Sequence, residues 1–319
     1  MKIKNLIGNT PMIKIQAKYK NKIINVYAKL EYYNYTGSIK DRLAHYIINE
    51  SYKEGTLKKG RPIIEATSGN TGISFASLGT YYGHEVHIFM PDTASIERIK
   101  IMQLYGAHVH LVTKEEGGFK AAIKKADELA LELNGFRPDQ FSNLKNIEAH
   151  YNTTGKEITS TLPHIDKYIS GIGTGGTLIG VAKRIKEENK QAKIIALEPL
   201  QLPIITKGEY NGSHRIEGIG DDFIPSIVDM NIIDKVITID DEDAINMAKI
   251  LARKFGLGVG ISSGANLLAS VIEAEEDDVV VTIFADDFKK YLSTDLSTQI
   301  NQDSSLISNN IEILSVEAI

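Results

Sequence analysis

Short apolar runs alternate with amphipathic stretches along this chain. Runs at 24–30, 63–66, 86–90, 109–112, 168–172, 194–197, 236–239 and 279–284 predict strands, and helix-period segments at 41–52, 71–82, 119–133, 178–188 and 243–255 fall between them. That order predicts an α/β fold of parallel-rich twisted sheets flanked by helices. The segment 134–146, NGFRPDQFSNLKN, is polar with Gly, Pro and Asn and is the best domain boundary. Beyond residue 296 the composition turns to Ser, Asn, Gln and Asp, so 301–319 is expected to be a flexible tail.

Length adds a second lobe, because 319 residues exceed a comfortable single core. A net charge of -5 and no Lys or Arg run give no basis for gripping nucleic acid. No apolar stretch is long enough to span a bilayer and no signal-like segment opens the chain, so a cytoplasmic protein without a membrane partner is expected. The absence of cysteine excludes disulfides, thiolate ligands and a cysteine nucleophile. Histidines recur at His84, His87, His108 and His110, but without a matching carboxylate or cysteine set they read as strand and turn residues, and no metal site is expected.

Candidate chemistry sits where strands end. Thr67-Ser68-Gly69-Asn70-Thr71-Gly72 follows the run 63–66 and opens a helical segment. Backbone N–H groups at a helix start, backed by the helix dipole, attract an anion, and the hydroxyls and the amide add hydrogen bonds. A well-capped helix start accounts for the same residues equally well. The stretch Gly171-Ile172-Gly173-Thr174-Gly175-Gly176-Thr177 again joins an apolar run to a helix, and its glycines let the backbone curl round one phosphate. It matches neither the dinucleotide fingerprint nor a Walker loop, and a plain tight turn is the alternative. Ser38 with Asp41 predicts a capping box that puts Lys40 in the first helical turn, where the positive helix end favours the neutral amine; such an amine condenses with aldehydes. Alone, Lys40 reads as a solvated lysine. Jointly, the three elements suggest pyridoxal 5'-phosphate and an amino-acid carboxylate.

From Ile7 to about Leu296 the chain resembles the cysteine synthase (O-acetylserine sulfhydrylase) and cystathionine β-synthase family of pyridoxal-phosphate enzymes, which share the two-lobed fold type II of the tryptophan synthase β-subunit. The motifs quoted above, in that order, carry the resemblance. It implies a smaller mobile lobe, 36–145, that closes on substrate, and a larger cofactor-binding lobe formed by 1–35 and 146–300. It also implies that Lys40 holds the cofactor as a Schiff base and acts as general base, that Gly173, Thr174, Gly175, Gly176 and Thr177 hold the phosphate, and that Asn70 contacts the ring oxygen. By the same resemblance Ser262, in Gly260 to Asn266, is expected to face the pyridine nitrogen; a neutral hydroxyl there favours β-elimination over transamination. The resemblance further implies that Thr67, Ser68, Gly69, Thr71 and Gln140 bind the substrate carboxylate, with Gly218, Asp221 and Asp222 in a loop lining the substrate site.

The implied activity is β-replacement on a serine- or cysteine-type amino acid, with cysteine synthesis from O-acetyl-L-serine and sulfide first. Cystathionine β-synthase-like or cysteine-cleaving chemistry that releases hydrogen sulfide is the alternative, and a non-catalytic binding relative is the second. Homodimer formation and a serine acetyltransferase partner are implied as well. Two features depart from the family pattern: Tyr35-Thr36-Gly37 ahead of Ser38 is bulkier than usual, and Asp221 and Asp222 replace two small residues. Of these acids Asp222 is the better functional candidate by resemblance, while Asp221 is as readily a solvated residue.

Overall fold

The computed structural model describes residues 3–319. Its strands are β1 (Met12–Tyr19), β2 (Lys22–Leu30), β3 (Ile63–Ala66), β4 (Val86–Pro91), β5 (His108–Val112), β6 (Lys167–Gly171), β7 (Lys193–Pro199), β8 (Lys235–Ile239), β9 (Val280–Phe284) and β10 (Glu312–Ala318). The helices are α1 (Lys40–Lys53), α2 (Asn70–Tyr82), α3 (Ile96–Leu104), α4 (Gly118–Glu132), α5 (Lys145–His150), α6 (Lys156–Thr161), α7 (Gly176–Glu188), α8 (Ile204–Lys207), α9 (Asp241–Phe255) and α10 (Ile261–Glu273).

Two sheets result, one ordered β10-β1-β2-β9-β6-β7-β8 and one ordered β3-β4-β5. The small sheet is parallel throughout, as is the run from β2 to β8 in the large one. Only β1 pairs antiparallel, with β2 on one side and β10 on the other. All strands of the small sheet fall within 36–145 and all strands of the large one outside it. Continuous apolar runs suit parallel strands because both faces are covered. Ile169, Leu197, Leu251 and Leu268 join one core on the α9/α10 side of the large sheet, and Tyr168, Ile194, Leu178 and Ile185 join another on the α7 side. The small sheet buries Ile63 and Ile88 with Leu43, Ile47 and Phe75 of α1 and α2, while Ile64 and Phe89 meet Ala122 and Ala126 of α4.

The structure corrects two expectations. First, β1 is absent from the predicted strands because it alternates rather than running apolar: Ile13, Ile15 and Ala17 are buried while Lys14 and Gln16 are partly exposed. Second, 301–319 is not a free tail. Its polar residues are anchors: Asn301 N–H donates to Asn246 Oδ1 at 2.8 Å, Ser308 N–H donates to Asp243 Oδ1 at 2.8 Å, and Ile311 is buried ahead of β10, which pairs with β1 from Lys18↔Glu312 to Ile13↔Ala318. The boundary segment 134–146 is itself tied down. Phe136 pairs with the small sheet through Phe136 N–H to Pro62 O at 2.7 Å and Ile64 N–H to Phe136 O at 2.9 Å.

No helix among the described residues is long and apolar enough to cross a membrane.

Candidate active site

Parallel strands end together, and the turns leading out of them form the site. After β3 comes Thr67, after β6 comes the glycine-rich loop, and after β9 come Ala285 and Asp286. The N-termini of α1, α2, α7 and α10 converge on a cavity lined by Lys40, Asn70, Thr71, Gly175, Thr177 and Ser262. Four positive helix ends aimed at one volume make it a site for anions.

Lys40 is the first residue of α1, in the expected turn, but its environment differs from the one expected. The capping box does not form. The carboxylate of Asp41 accepts instead from Thr36 N–H and Thr36 Oγ1, each at 2.6 Å, and from Ser74 Oγ at 2.7 Å. What lowers Lys40 is burial: enclosed by protein except where it faces the cavity, its amine is brought down to about 8, with the Asp221 and Asp286 carboxylates opposing the shift. Roughly a tenth is therefore neutral at pH 7, far more than for an exposed lysine.

The 67–72 stretch has the expected strand, turn and helix form. Gly69 is required by a close approach: a Cβ there would lie 2.0 Å from Cδ of Arg98, a fully buried side chain pinned by Glu217. Thr67, Ser68, Asn70 and Thr71 all line the cavity, and Gln140 joins them from the far lobe-connecting segment. Thr71 Oγ1 donates to Gln140 Oε1 at 2.6 Å, while Gln140 Nε2 donates to Ala66 O at 2.9 Å, so the amide is held against the strand end. Asn70 Nδ2 donates to Asp286 Oδ2 at 2.7 Å, which leaves Asn70 Oδ1 buried with no partner among the described residues.

The cradle is built of backbone. At Gly173 a Cβ would lie 2.4 Å from the carbonyl oxygen of Gly218, so no other residue fits there. Gly173, Thr174, Gly175 and Thr177 line the cavity, whereas Gly176 is buried behind it against Asn146. Ser262, in the first turn of α10, is buried and on the cavity wall.

Asp221 and Asp222 exchange their expected places. Asp221 lines the cavity, where burial, and less strongly the neighbouring Asp222, push its carboxyl up to about 6 against the pull of the Lys40 ammonium. Asp222 lines the adjoining outer pocket and pairs with Lys120 at 3.4 Å. The chain turns at Gly218 and Gly220, so adjacent side chains diverge.

Sequence reasoning missed the residues behind this wall. Asp286, fully buried, accepts from Asn70 and, at 2.8 Å, from Tyr291 Oη, and sits 3.7 Å from Arg98, whose guanidinium lies 4.5 Å from the Tyr291 ring centre. An acid just past the carboxyl end of an apolar parallel strand was the available signal; Arg98 offered none. His150, also buried, lies 3.3 Å from Thr177 Oγ1 and is held neutral by burial and by the positive charges of Lys40 and Arg42.

The residues present fit pyridoxal phosphate. The amine of Lys40, a glycine cradle that a Cβ would fill, helix N-termini for an anion, the unpartnered Asn70 Oδ1 and a neutral hydroxyl at Ser262 are the groups such a molecule needs. Site and fold together define a two-lobed pyridoxal-phosphate enzyme of fold type II.

Comparison with known proteins agrees. Residues 3–286 match the model of the family "Pyridoxal-phosphate dependent enzyme", and the chain belongs to that family. It is 44% identical over 299 residues to cysteine synthase B of Campylobacter jejuni, covering 92% of this chain and 98% of that one. It is 40% identical to a cysteine synthase of Staphylococcus aureus, covering 92% and 96%. Among solved structures, a hydrogen sulfide-producing enzyme from Fusobacterium nucleatum superposes with a TM-score of 0.93 at 46% identity, over 99% of this chain and 98% of that one.

Proposed function

We propose that the protein is a cysteine synthase, replacing the acetate of O-acetyl-L-serine by sulfide. The observation that carries this reading is the meeting, in one cavity, of a depressed lysine amine with two anion-binding helix starts from opposite lobes. When bound, pyridoxal phosphate supplies the electron sink that lets the substrate Cα–H bond and the Cβ leaving group break.

The chain's residues then divide the work. Gly173 to Thr177, with the α7 N-terminus, hold the phosphate, and Ser262 faces the ring nitrogen with a neutral hydroxyl. Thr67, Ser68, Gly69, Thr71 and Gln140, with the α2 N-terminus, bind the substrate carboxylate; each hydrogen bond to that charge contributes about 1.5–3 kcal/mol. Lys40 Nζ anchors the cofactor and, once released, takes the proton from Cα. Asn70 holds the ring oxygen, its amide aimed by Asp286. Movement of the lobe 36–145 toward the larger lobe excludes water from the carboxylate site. A homodimer, with a serine acetyltransferase as candidate partner, completes the reading; light scattering of the protein alone and mixed with that enzyme tests both.

A second reading rests on Asp221. A carboxylate inside the cavity next to Lys40 can take a proton from water or a thiol that adds at Cβ, which would let cysteine serve as first substrate with release of sulfide. The hydrogen sulfide production of the Fusobacterium enzyme supports it. Steady-state assays with O-acetylserine plus sulfide, and with cysteine with and without homocysteine, separate the two: turnover with neither substrate pair overturns both.

A further inference from the structure

We propose that Glu85, His87 and His108 form a binding site for one divalent transition-metal ion of the zinc type on the small sheet, apart from the active-site cavity, which none of them lines. By sequence alone these histidines read as strand and turn residues, because Glu85 and His87 make only two ligands and His108 stands on the next strand. The parallel register brings in the third. His87 in β4 pairs directly with His108 in β5, so both side chains leave the same face of the sheet. Their rings stack with centres 4.7 Å apart and planes 18° apart. Both Nε2 atoms point at one oxygen, Glu85 Oε1, each at 3.1 Å. The three ligand atoms lie within 4.8 Å of one another. In a tetrahedral zinc site with bonds of about 2.0–2.1 Å, ligand atoms stand roughly 3.3 Å apart, so small adjustments complete one face of the tetrahedron and leave its fourth corner to water.

A neighbour orients the buried ligand. His110, which pairs with Phe89 in the register and stacks on its ring at 4.4 Å, brings Nε2 to 3.2 Å from His87 Nδ1. When His87 Nδ1–H donates to His110, the His87 Nε2 lone pair is free and faces Glu85 Oε1. A cation between these two acceptors gives the outer-partner arrangement that fixes metal-ligating histidines. His108 ligates through the same nitrogen by carrying its proton on Nδ1, at the exposed edge of β5. Glu85 provides the negative charge. An imidazole and carboxylate set with an open position suits zinc, and also cobalt as a spectroscopic substitute.

The test uses the intact holoenzyme in equilibrium dialysis against Zn²⁺. The parent is expected to bind one ion per chain, and His108→Ala and Glu85→Gln to lower that affinity at least tenfold. His164→Ala, an exposed histidine elsewhere, should leave it unchanged. Both altered positions are exposed and outside the catalytic machinery, so unchanged turnover serves as the check on folding. Co²⁺ should give visible bands that His108→Ala abolishes. Absence of saturable Zn²⁺ binding by the parent, or equal affinity in parent and His108→Ala, overturns the proposal.

Discussion

Asn70 Nδ2 donates to Asp286 Oδ2 at 2.7 Å, joining the start of α2 in one lobe to the end of β9 in the other. The same carboxylate accepts from Tyr291, and its backbone oxygen accepts from Gly260 N–H at the start of α10. Ile39 N–H donates to the adjacent Ala285 O at the start of α1. A single two-residue segment thus sets the mutual position of the helices that carry Lys40, Asn70 and Ser262.

Lys40→Ala should reduce turnover by at least roughly a hundredfold, the usual scale for loss of a positioned proton carrier. It should also abolish the visible absorbance of a lysine-linked cofactor. Near-native turnover by this variant would remove Lys40 from the mechanism.

Thr71→Val keeps the shape of a buried side chain while deleting its hydrogen bond to Gln140. Affinity for the amino-acid substrate should fall about tenfold or more, because a hydrogen bond at a charged ligand is worth roughly 1.5–3 kcal/mol. Cofactor content should be unchanged, since the cradle lies on the other lobe. Spectrophotometric amino-acid titration at known cofactor occupancy checks both parts.

The two titrations at the cavity predict two limbs that both rise with pH, one for each base. Asp221 is an acceptor only when ionised, so sulfide release from cysteine should fall as pH drops through about 6. Lys40 accepts a proton only as the neutral amine, so the limb governed by it rises through about 8. Asp221→Asn removes a negative charge that holds the Lys40 value up, and that limb should move to lower pH. Profiles of kcat for parent and variant with cysteine, which report the bound state in which Lys40 is free, measure both shifts; identical profiles would take Asp221 out of the reaction.

A buried ion cluster under the N-terminal segment predicts acid sensitivity. Arg42 pairs with Glu31 at 2.6 Å and with Glu157 at 2.7 Å, and Lys29 reaches Glu157 at 2.8 Å. Burial would raise the Glu157 carboxyl, but hydrogen bonds and charge from Arg42 and Lys29 outweigh it and bring it down to about 2. An unfolded glutamate titrates near 4.3. The stabilisation is therefore fully present above that value and is lost as pH falls toward 2. Glu31→Gln, at a fully buried position, should cost about 3 kcal/mol by leaving Arg42 half-paired. Denaturant midpoints between pH 7 and pH 3 should fall for the parent and fall less for Glu157→Gln.

Much of the site was legible because its chemistry is local: hydroxyls and glycines at the ends of apolar runs mark helix starts whatever the rest of the chain does. Lys40, Asn70, Thr71, Ser262 and the cradle apart from Gly176 meet in the cavity for that reason. The orientation of Asp221 and Asp222 was not legible, since it depends on left-handed turns at Gly218 and Gly220 on either side of Ile219. Nor was Asp286, whose partners stand more than two hundred residues away in the case of Asn70. The ordered end of the chain escaped notice because Asn and Ser serve mobile segments and buried anchoring hydrogen bonds alike, and only tertiary contacts with Asn246 and Asp243 distinguish them.

Four helix N-termini drawn from both lobes and aimed at one volume repel one another when nothing negative lies between them. An anionic ligand there binds the folded chain and not the unfolded one, so by mass action it adds about 2.7 kcal/mol to global stability at a hundred times its dissociation constant. Cellular supply of the cofactor then governs the lifetime of the protein as well as its activity, and cofactor-stripped chains should be the first that proteases remove.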